Sequence, residues 1–264
     1  MAKQEYGGLP LNNRVVMLGG AGESTYAMYN YLKDAIGPFP LILEEPLSAW
    51  KMLYIRYRKV GLVSLISQVL FMFLIRPILS HNSAPRRRQI LDENRMDISA
   101  PPEATIKRVN SVNDLATLHL LRGLAPDVIV VNGTRIISKR VLESSKAIFI
   151  NTHCGITPKY RGAHGGYWAL YNNEPDKCGV TIHLVDAGID TGEVIVQKNI
   201  TPSVADCLVT YPLLQISAAR SLMLAAVNNA LAKKIEKVNV RDVSSVWYHP
   251  GLFQYVFGFM RGIK

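Results

Sequence analysis

Short apolar runs alternating with helix-patterned stretches constrain this chain more than any other feature. Residues 14–18 (RVVML) read as a buried strand, GGAGEST as a glycine-rich turn and TYAMYNYL as the start of a helix, the opening of a βαβ unit. PFPLILEE reads as a second strand, and TIKRV, DVIVV and AIFIN as three more, separated by the helical patterns SVNDLATLHLLRGL and SKRVLESS. Strands joined through helices run parallel and need cover on both faces, so the expectation is an α/β, Rossmann-like, mostly parallel sheet. GVTIHLVD and GEVIVQKNI are too close together for a helical crossover and read as an antiparallel pair. A long helix over roughly 205–232 follows, then a polar-aromatic tail; the chain reads as a single domain over 1–264 with 233–264 as a C-terminal extension.

Residues 47–100 break the rhythm, being far longer than an ordinary βα connection, and read as a basic, amphipathic helical insertion. Its run from Leu62 to Leu79 is just long enough to span a membrane, but Ser64, Ser67, Gln68, Arg76 and Pro77 lie within it and both flanks are basic. The expectation is a helix packed on the domain or on a second subunit as a homodimer. A helix lying in a membrane interface ranks next and a true span last.

Composition narrows the function classes. With 48% apolar and 19% charged residues the chain is globular, and a net charge of +10 favours anionic partners without naming one. Cys154, Cys178 and Cys207 have neither CxxC spacing nor a histidine cluster, so no disulfide framework or metal site is expected and a reducing cytoplasm fits best. MAKQEYGGLPLNN lacks the order of an export signal.

The densest chemical signal is NTHCGITPKYRGAHGGYWAL, which begins at the C-terminal end of the AIFIN strand, the edge where parallel sheets bind ligands. Residues two apart at a strand end point to one side, so the Asn151 amide and His153 imidazole can converge on one small group. Such a pair suits acyl transfer, in which a tetrahedral oxygen becomes negative. An isolated NxH is more often a turn cap and a surface histidine. In GVTIHLVDAGIDTGEVI, a glycine turn separates Asp186 from Asp190 and can aim a carboxylate back at the sheet edge. Beside His153 it would orient the ring and raise its pKa.

Together the two segments resemble the 10-formyltetrahydrofolate-dependent formyltransferases: methionyl-tRNA, phosphoribosylglycinamide and sugar N-formyltransferases. That family's pattern is an Asn, a His two residues on, PxYRG, then a His-bearing strand leading to VDxGxDxG. Here it reads Asn151, His153, Pro158, Tyr160, Arg161, Gly162, His183, Val185, Asp186, Gly188, Asp190 and Gly192. The resemblance implies Asn151, His153 and Asp190 as catalytic residues and 10-formyltetrahydrofolate as formyl donor, with no metal. PDVIVVNGTRIISKRVL resembles the family's folate-pocket segment, which implies Gly133, Arg135, Ile136 and Ile137 there, largely through backbone, with Asp186 on the donor side. VVMLGGAGES resembles the phosphate loop of the glycinamide-ribonucleotide branch, implying Gly20, Gly22 and Ser24 for the acceptor alongside Tyr160 and Arg161; Glu23 would repel a phosphate there. Cys154-Gly155 stands where many members have Pro-Ser, and Cys154 reads as packing rather than nucleophile. His164 and Trp168 read as packing residues, and His183 as a core histidine or a partner of the Asp loop.

The acceptor is expected to be an amino sugar attached to a nucleotide. Glycinamide ribonucleotide is disfavoured by the imperfect phosphate loop, and methionyl-tRNA by the short stretch after the last long helix, so nucleic acid is not an expected partner. A formyl-folate hydrolase and a noncatalytic membrane scaffold remain as alternatives, and the expected location is the cytoplasm, with peripheral contact at the inner membrane face left open.

Overall fold

The computed structural model describes Glu5, Tyr6, Leu9, Pro10 and residues 14–264. Most of the N-terminal stretch read for an export signal lies outside them. Two short strands, β1 (Glu5–Tyr6) and β2 (Leu9–Pro10), pair antiparallel.

The core is a seven-stranded sheet in the order β10-β9-β7-β6-β3-β4-β5. Its strands are β3 (Val15–Gly20), β4 (Leu41–Glu44), β5 (Ile106–Val109), β6 (Val128–Asn132), β7 (Ile148–His153), β9 (Gly179–Leu184) and β10 (Val194–Asn199). From β5 to β7 all pairings are parallel, while β9 and β10 add as antiparallel strands. Chain order reverses between β3 and β6, so their C-terminal ends border a crevice.

The apolar runs are continuous because both faces of the sheet are covered. Val15, Met17, Leu41, Leu43, Val128, Val130 and Ile150 pack with α1 (Glu23–Ile36) and α8 (Tyr211–Leu231). Their alternate neighbours Val16, Leu18, Ile42, Ile129, Val131 and Phe149 pack with α5 (Leu115–Leu124) and α6 (Lys139–Leu142). Each such side chain stabilises the fold by roughly 1.5–3 kcal/mol when fully buried.

Two elements depart from the sequence pattern. SKRVLESS forms only the single turn α6, and α8 starts at Tyr211 instead of 205. The Asp206 side chain accepts from the Ser203 N–H and from Arg86, and a helix there would compete with that turn.

The 47–100 insertion is helical, as expected: α2 (Ala49–Leu70), broken at Gly61 where φ is 77°, a π-helical turn Phe71–Ile75, α3 (Arg76–Asn82) and α4 (Ala84–Glu93). Only part of it packs on the domain. α4 buries Ile90 against Ala27, Leu213 and Ile216, and Arg86 pairs with the buried Asp206. Along α2, the π-helical turn and α3, one side packs on the domain through Ser67, Gln68 and Phe71, whereas Leu62, Val63, Ile66, Phe73, Leu74 and Ile78 are exposed, so the expected packing on this chain's own domain is met on one side only.

The C-terminal extension folds back onto the middle of the chain. Its strand β11 (Val246–Trp247) pairs in parallel with β8 (Arg161–Gly162), and α9 (Leu252–Met260) packs beside α2. Trp247 stacks between Tyr160 and Trp168, the latter on α7 (Gly165–Tyr171).

Candidate active site

Asn151 and His153 stand two residues apart at the C-terminal end of β7. Antiparallel pairing sets Asn151 opposite His183 on β9, so the loop leaving β9 returns over the same strand end. Asp190 closes that loop in a left-handed conformation, φ 49°, uncommon for a residue with a side chain. Its Oδ2 accepts from the Gly162 N–H at 3.0 Å and lies 3.3 Å from His153 Nδ1. The three residues placed together by resemblance therefore meet.

The hydrogen bonds determine how the rings are protonated. His153 Nε2 is 2.7 Å from the Tyr160 carbonyl, which can only accept, so Nε2 carries a hydrogen and Nδ1 is left toward Asp190. His183 Nδ1 likewise donates to the Leu184 carbonyl, leaving Nε2 to accept from the Asn151 amide at 3.0 Å. That contact fixes the Asn151 flip, so the amide nitrogen faces the site. Its other N–H is only loosely engaged, 3.4 Å from Asp190 Oδ1.

Burial pulls the His153 pKa below its ordinary value, opposed by the Asp190 carboxylate and the Tyr160 carbonyl. For Asp190 burial acts upward, but the facing His183 and His153 rings and the Gly162 N–H outweigh it and hold the carboxyl at about 2. At neutral pH the centre is thus a neutral imidazole beside a carboxylate. Burial and the Asp190 charge push the Cys154 thiol up to about 12, so it is not a thiolate nucleophile.

Asn151, His153 and Asp190 open onto a cavity of about 270 Å³, also lined by Gly133, Arg135, Ile136, Ile137 and Asp186. The side chains of this set do different things. Arg135 is turned away to Glu44, Glu45 and Asn110, and Ile137 is buried in the core, so 133–137 meets the cavity largely through main chain and the half-exposed Ile136. Asp186 holds its own loop through the Gly188 N–H and Thr191 hydroxyl.

The acceptor-side residues are not gathered in one place. Tyr160 is fully buried with its hydroxyl on Glu174, so its side chain does not face a ligand and its contribution is the carbonyl that holds His153. Arg161 donates to the Ile189 carbonyl and lines a neighbouring cavity of about 440 Å³ with Asp190 and Lys237. Gly20 is needed for close approach, since a Cβ there would sit 2.4 Å from the Gly133 carbonyl, whereas one on Gly22 would meet nothing. Ser24 lines a third cavity of about 460 Å³ with Glu23, Arg76, Arg87 and His164, and Glu23 pairs with Arg87 rather than facing an anion unopposed.

Sequence reading missed Glu44, buried at the end of β4. It accepts from the Val112 and Arg135 N–H groups and pairs with the Arg135 guanidinium, fixing the 133–137 segment. A carboxylate closing an apolar strand was the available signal. Among the described residues, no group of three or more His, Cys, Asp or Glu is arranged to hold a metal ion.

Comparison with known proteins gives this geometry a family. The sequence model described as formyl transferase matches residues 80–210, a span containing all three converging residues. Residues 80–210 belong to the formyl transferase family. A methionyl-tRNA formyltransferase of Cyanothece sp. is 42% identical over 88 residues, 33% of this chain and 26% of that enzyme. The chain thus spans about a quarter of that relative's length. The formyl transferase fold extends further than the sequence match. A sugar N-formyltransferase from Shewanella sp. superposes with a TM-score of 0.56 at 12% identity, over 88% of this chain and 75% of that one. An N-formyltransferase from Helicobacter canadensis, in complex with folinic acid and dTDP-3-aminofucose, gives 0.52 at 17% identity, over 88% and 70%.

Proposed function

We propose that the chain transfers a formyl group from 10-formyltetrahydrofolate to an amine on an anionic small molecule, an amino sugar carried on a nucleotide. The observation that carries this reading is the meeting of Asn151, His153 and Asp190 at one cavity. Main chain along 133–137, held by Glu44 through the Arg135 N–H, walls the same cavity, which supports it as the donor pocket. When bound, the donor supplies a formyl carbon on a nitrogen leaving group.

The loosely engaged Asn151 N–H is free to donate to the formyl oxygen as negative charge develops on it, a contact typically worth about 3–4 kcal/mol. Neutral His153 takes the proton of the attacking amine at Nδ1, Asp190 stabilises the imidazolium that results, and the imidazolium gives that proton to the folate nitrogen as its bond to the formyl carbon breaks. His183 acts one step back, holding the Asn151 amide in register.

The acceptor class is supported by the +10 charge and by Arg76, Arg87 and Ser24 around one cavity. It also agrees with the sugar acceptor named for the Helicobacter canadensis enzyme. The test is to incubate the pure protein with 10-formyltetrahydrofolate and an amino-sugar nucleotide, glycinamide ribonucleotide, methionyl-tRNA or no amine, reading tetrahydrofolate release and acceptor mass. Turnover dependent on the amino-sugar nucleotide is expected. Formate release without amine would make the chain a hydrolase, and turnover with another acceptor alone would overturn the sugar assignment.

A further inference from the structure

The helix after Gly61 is apolar on its outward side as well as on the side packed against the domain, where Phe71, Ile75 and Leu79 join a buried cluster. Beyond the Gly61 break, Leu62, Val63, Ile66, Leu70, Phe73, Leu74 and Ile78 recur at helical spacing and all face outward. The inward side carries Ser67, Gln68 and Phe71, all buried, with the Gln68 amide donating to the His249 carbonyl. α9 lies alongside, joined through Phe71 against Tyr255, and adds exposed Phe253, Val256, Phe257 and Met260. The two helices are in contact and both leave large apolar side chains outside, more than the singly scattered apolar residues of a typical soluble surface.

Charge around this face has a single sign. From Ala49 to Asn82 there is no Asp or Glu, while Lys51, Arg58 and Lys59 are exposed cations; Arg56 and Arg76 lie near the His164–His249 pair. α9 carries no acid either and is followed by Arg261 and Lys264. Before the break, exposed Trp50, Tyr54 and Tyr57 interleave with these cations, the combination that settles at the headgroup level of a bilayer.

We propose that α2, the π-helical turn, α3 and α9 dock the protein on an anionic lipid bilayer, lying in the interface with one face on the domain. Ala49–Asn82 is 34 residues long and apolar enough to cross a membrane by length and composition. Gly61 divides it, however, and Arg76 and Pro77 interrupt the apolar run from Leu62 to Leu79, which rises roughly 27 Å at about 1.5 Å per residue, close to a hydrocarbon core of ~30 Å, so length alone does not decide between a span and an interfacial helix. The Gln68 to His249 bond holds that same stretch against the domain. A second protein copy would need acidic residues opposite the basic flank, and the corresponding face of this chain offers none.

Flotation of the full chain with vesicles of phosphatidylcholine alone, or with about a third phosphatidylglycerol, tests the proposal at low and high salt. Expected is at least tenfold stronger binding to the anionic vesicles, weakened by salt and released by alkaline wash. The exposed-site variant Val63→Glu/Phe73→Glu/Phe257→Glu should lose it at least tenfold while keeping the wild-type circular dichroism spectrum and melting temperature. A second variant, Lys51→Gln/Arg58→Gln/Lys59→Gln, should abolish the preference for anionic lipid with the apolar face intact. Absence of vesicle binding, with a dimer that the triple Glu variant dissociates, would overturn it in favour of a protein interface. Retention after alkaline wash would overturn it in favour of a span.

Discussion

At the scale of single residues, the proposed chemistry rests on one donor and one coupled pair. Asn151→Ala removes the amide aimed at the developing oxyanion, so turnover should fall about 100-fold or more while folate binding persists. Activity within about threefold of wild type would remove Asn151 from that role. His153→Ala and Asp190→Ala should each lose roughly 100- to 10,000-fold. With Asp190 Oδ2 3.3 Å from His153 Nδ1, the carboxylate acts through the ring. The double variant should therefore lose far less than the product of the two. Steady-state kinetics of the four proteins checks this, and fully multiplicative losses would mean that Asp190 works on its own.

At the scale of elements, the site depends on how tightly the β9–β10 loop folds back. A Cβ on Gly192 would sit 1.7 Å from the Leu184 carbonyl, the same oxygen that accepts from His183 Nδ1. Backbone cannot yield as a side-chain tip can. Gly192→Ala should displace the loop carrying Asp190, lowering turnover at least tenfold with a loss of about 1–3 kcal/mol in stability. Denaturant melts read beside kinetics would show it, and an unchanged enzyme would mean that the loop relaxes freely.

At the scale of the whole molecule, an internal histidine pair sets the response to acid. His164 Nε2 and His249 Nδ1 are 2.9 Å apart, 85 residues apart in sequence, and bridge the start of α7 to the C-terminal extension. Burial, then the neighbouring His249 and arginine charges, lowers His164 to about 3; burial and arginine charges lower His249 to about 4. Both folded values lie below the unfolded value of about 6.5. The unfolded chain therefore takes up these protons first, so the pair's contribution is complete above pH 6.5 and is lost as pH falls toward 4. His153 shifts in the same direction, while Asp190 stays ionised through that window. Stability should fall by up to about 1.4 kcal/mol per pH unit for each histidine. Urea melts at pH 7 and 5.5 measure the slope, and His249→Gln should flatten it; an equal slope in the variant would assign the acid sensitivity elsewhere.

Local periodicity by itself determined the parallel core, because runs such as Val15–Leu18 and Val128–Val131 are apolar throughout only when both faces are covered. The two-residue spacing of Asn151 and His153 placed both at one strand end, and motif resemblance added Asp190. Tertiary structure decided the rest. Tyr160 carried the same motif signal yet points into the core, because Trp247 reaches it from a distant part of the chain and Glu174 from beyond α7. His183 became the partner of Asn151 through strand register. The run after Gly61 reads alike whether its apolar side faces protein or solvent, and only packing around Gln68 and Tyr255 showed which. The physical reason is one of range: spacing between near neighbours fixes which side chains share a face, whereas what that face meets depends on segments brought together by the sheet.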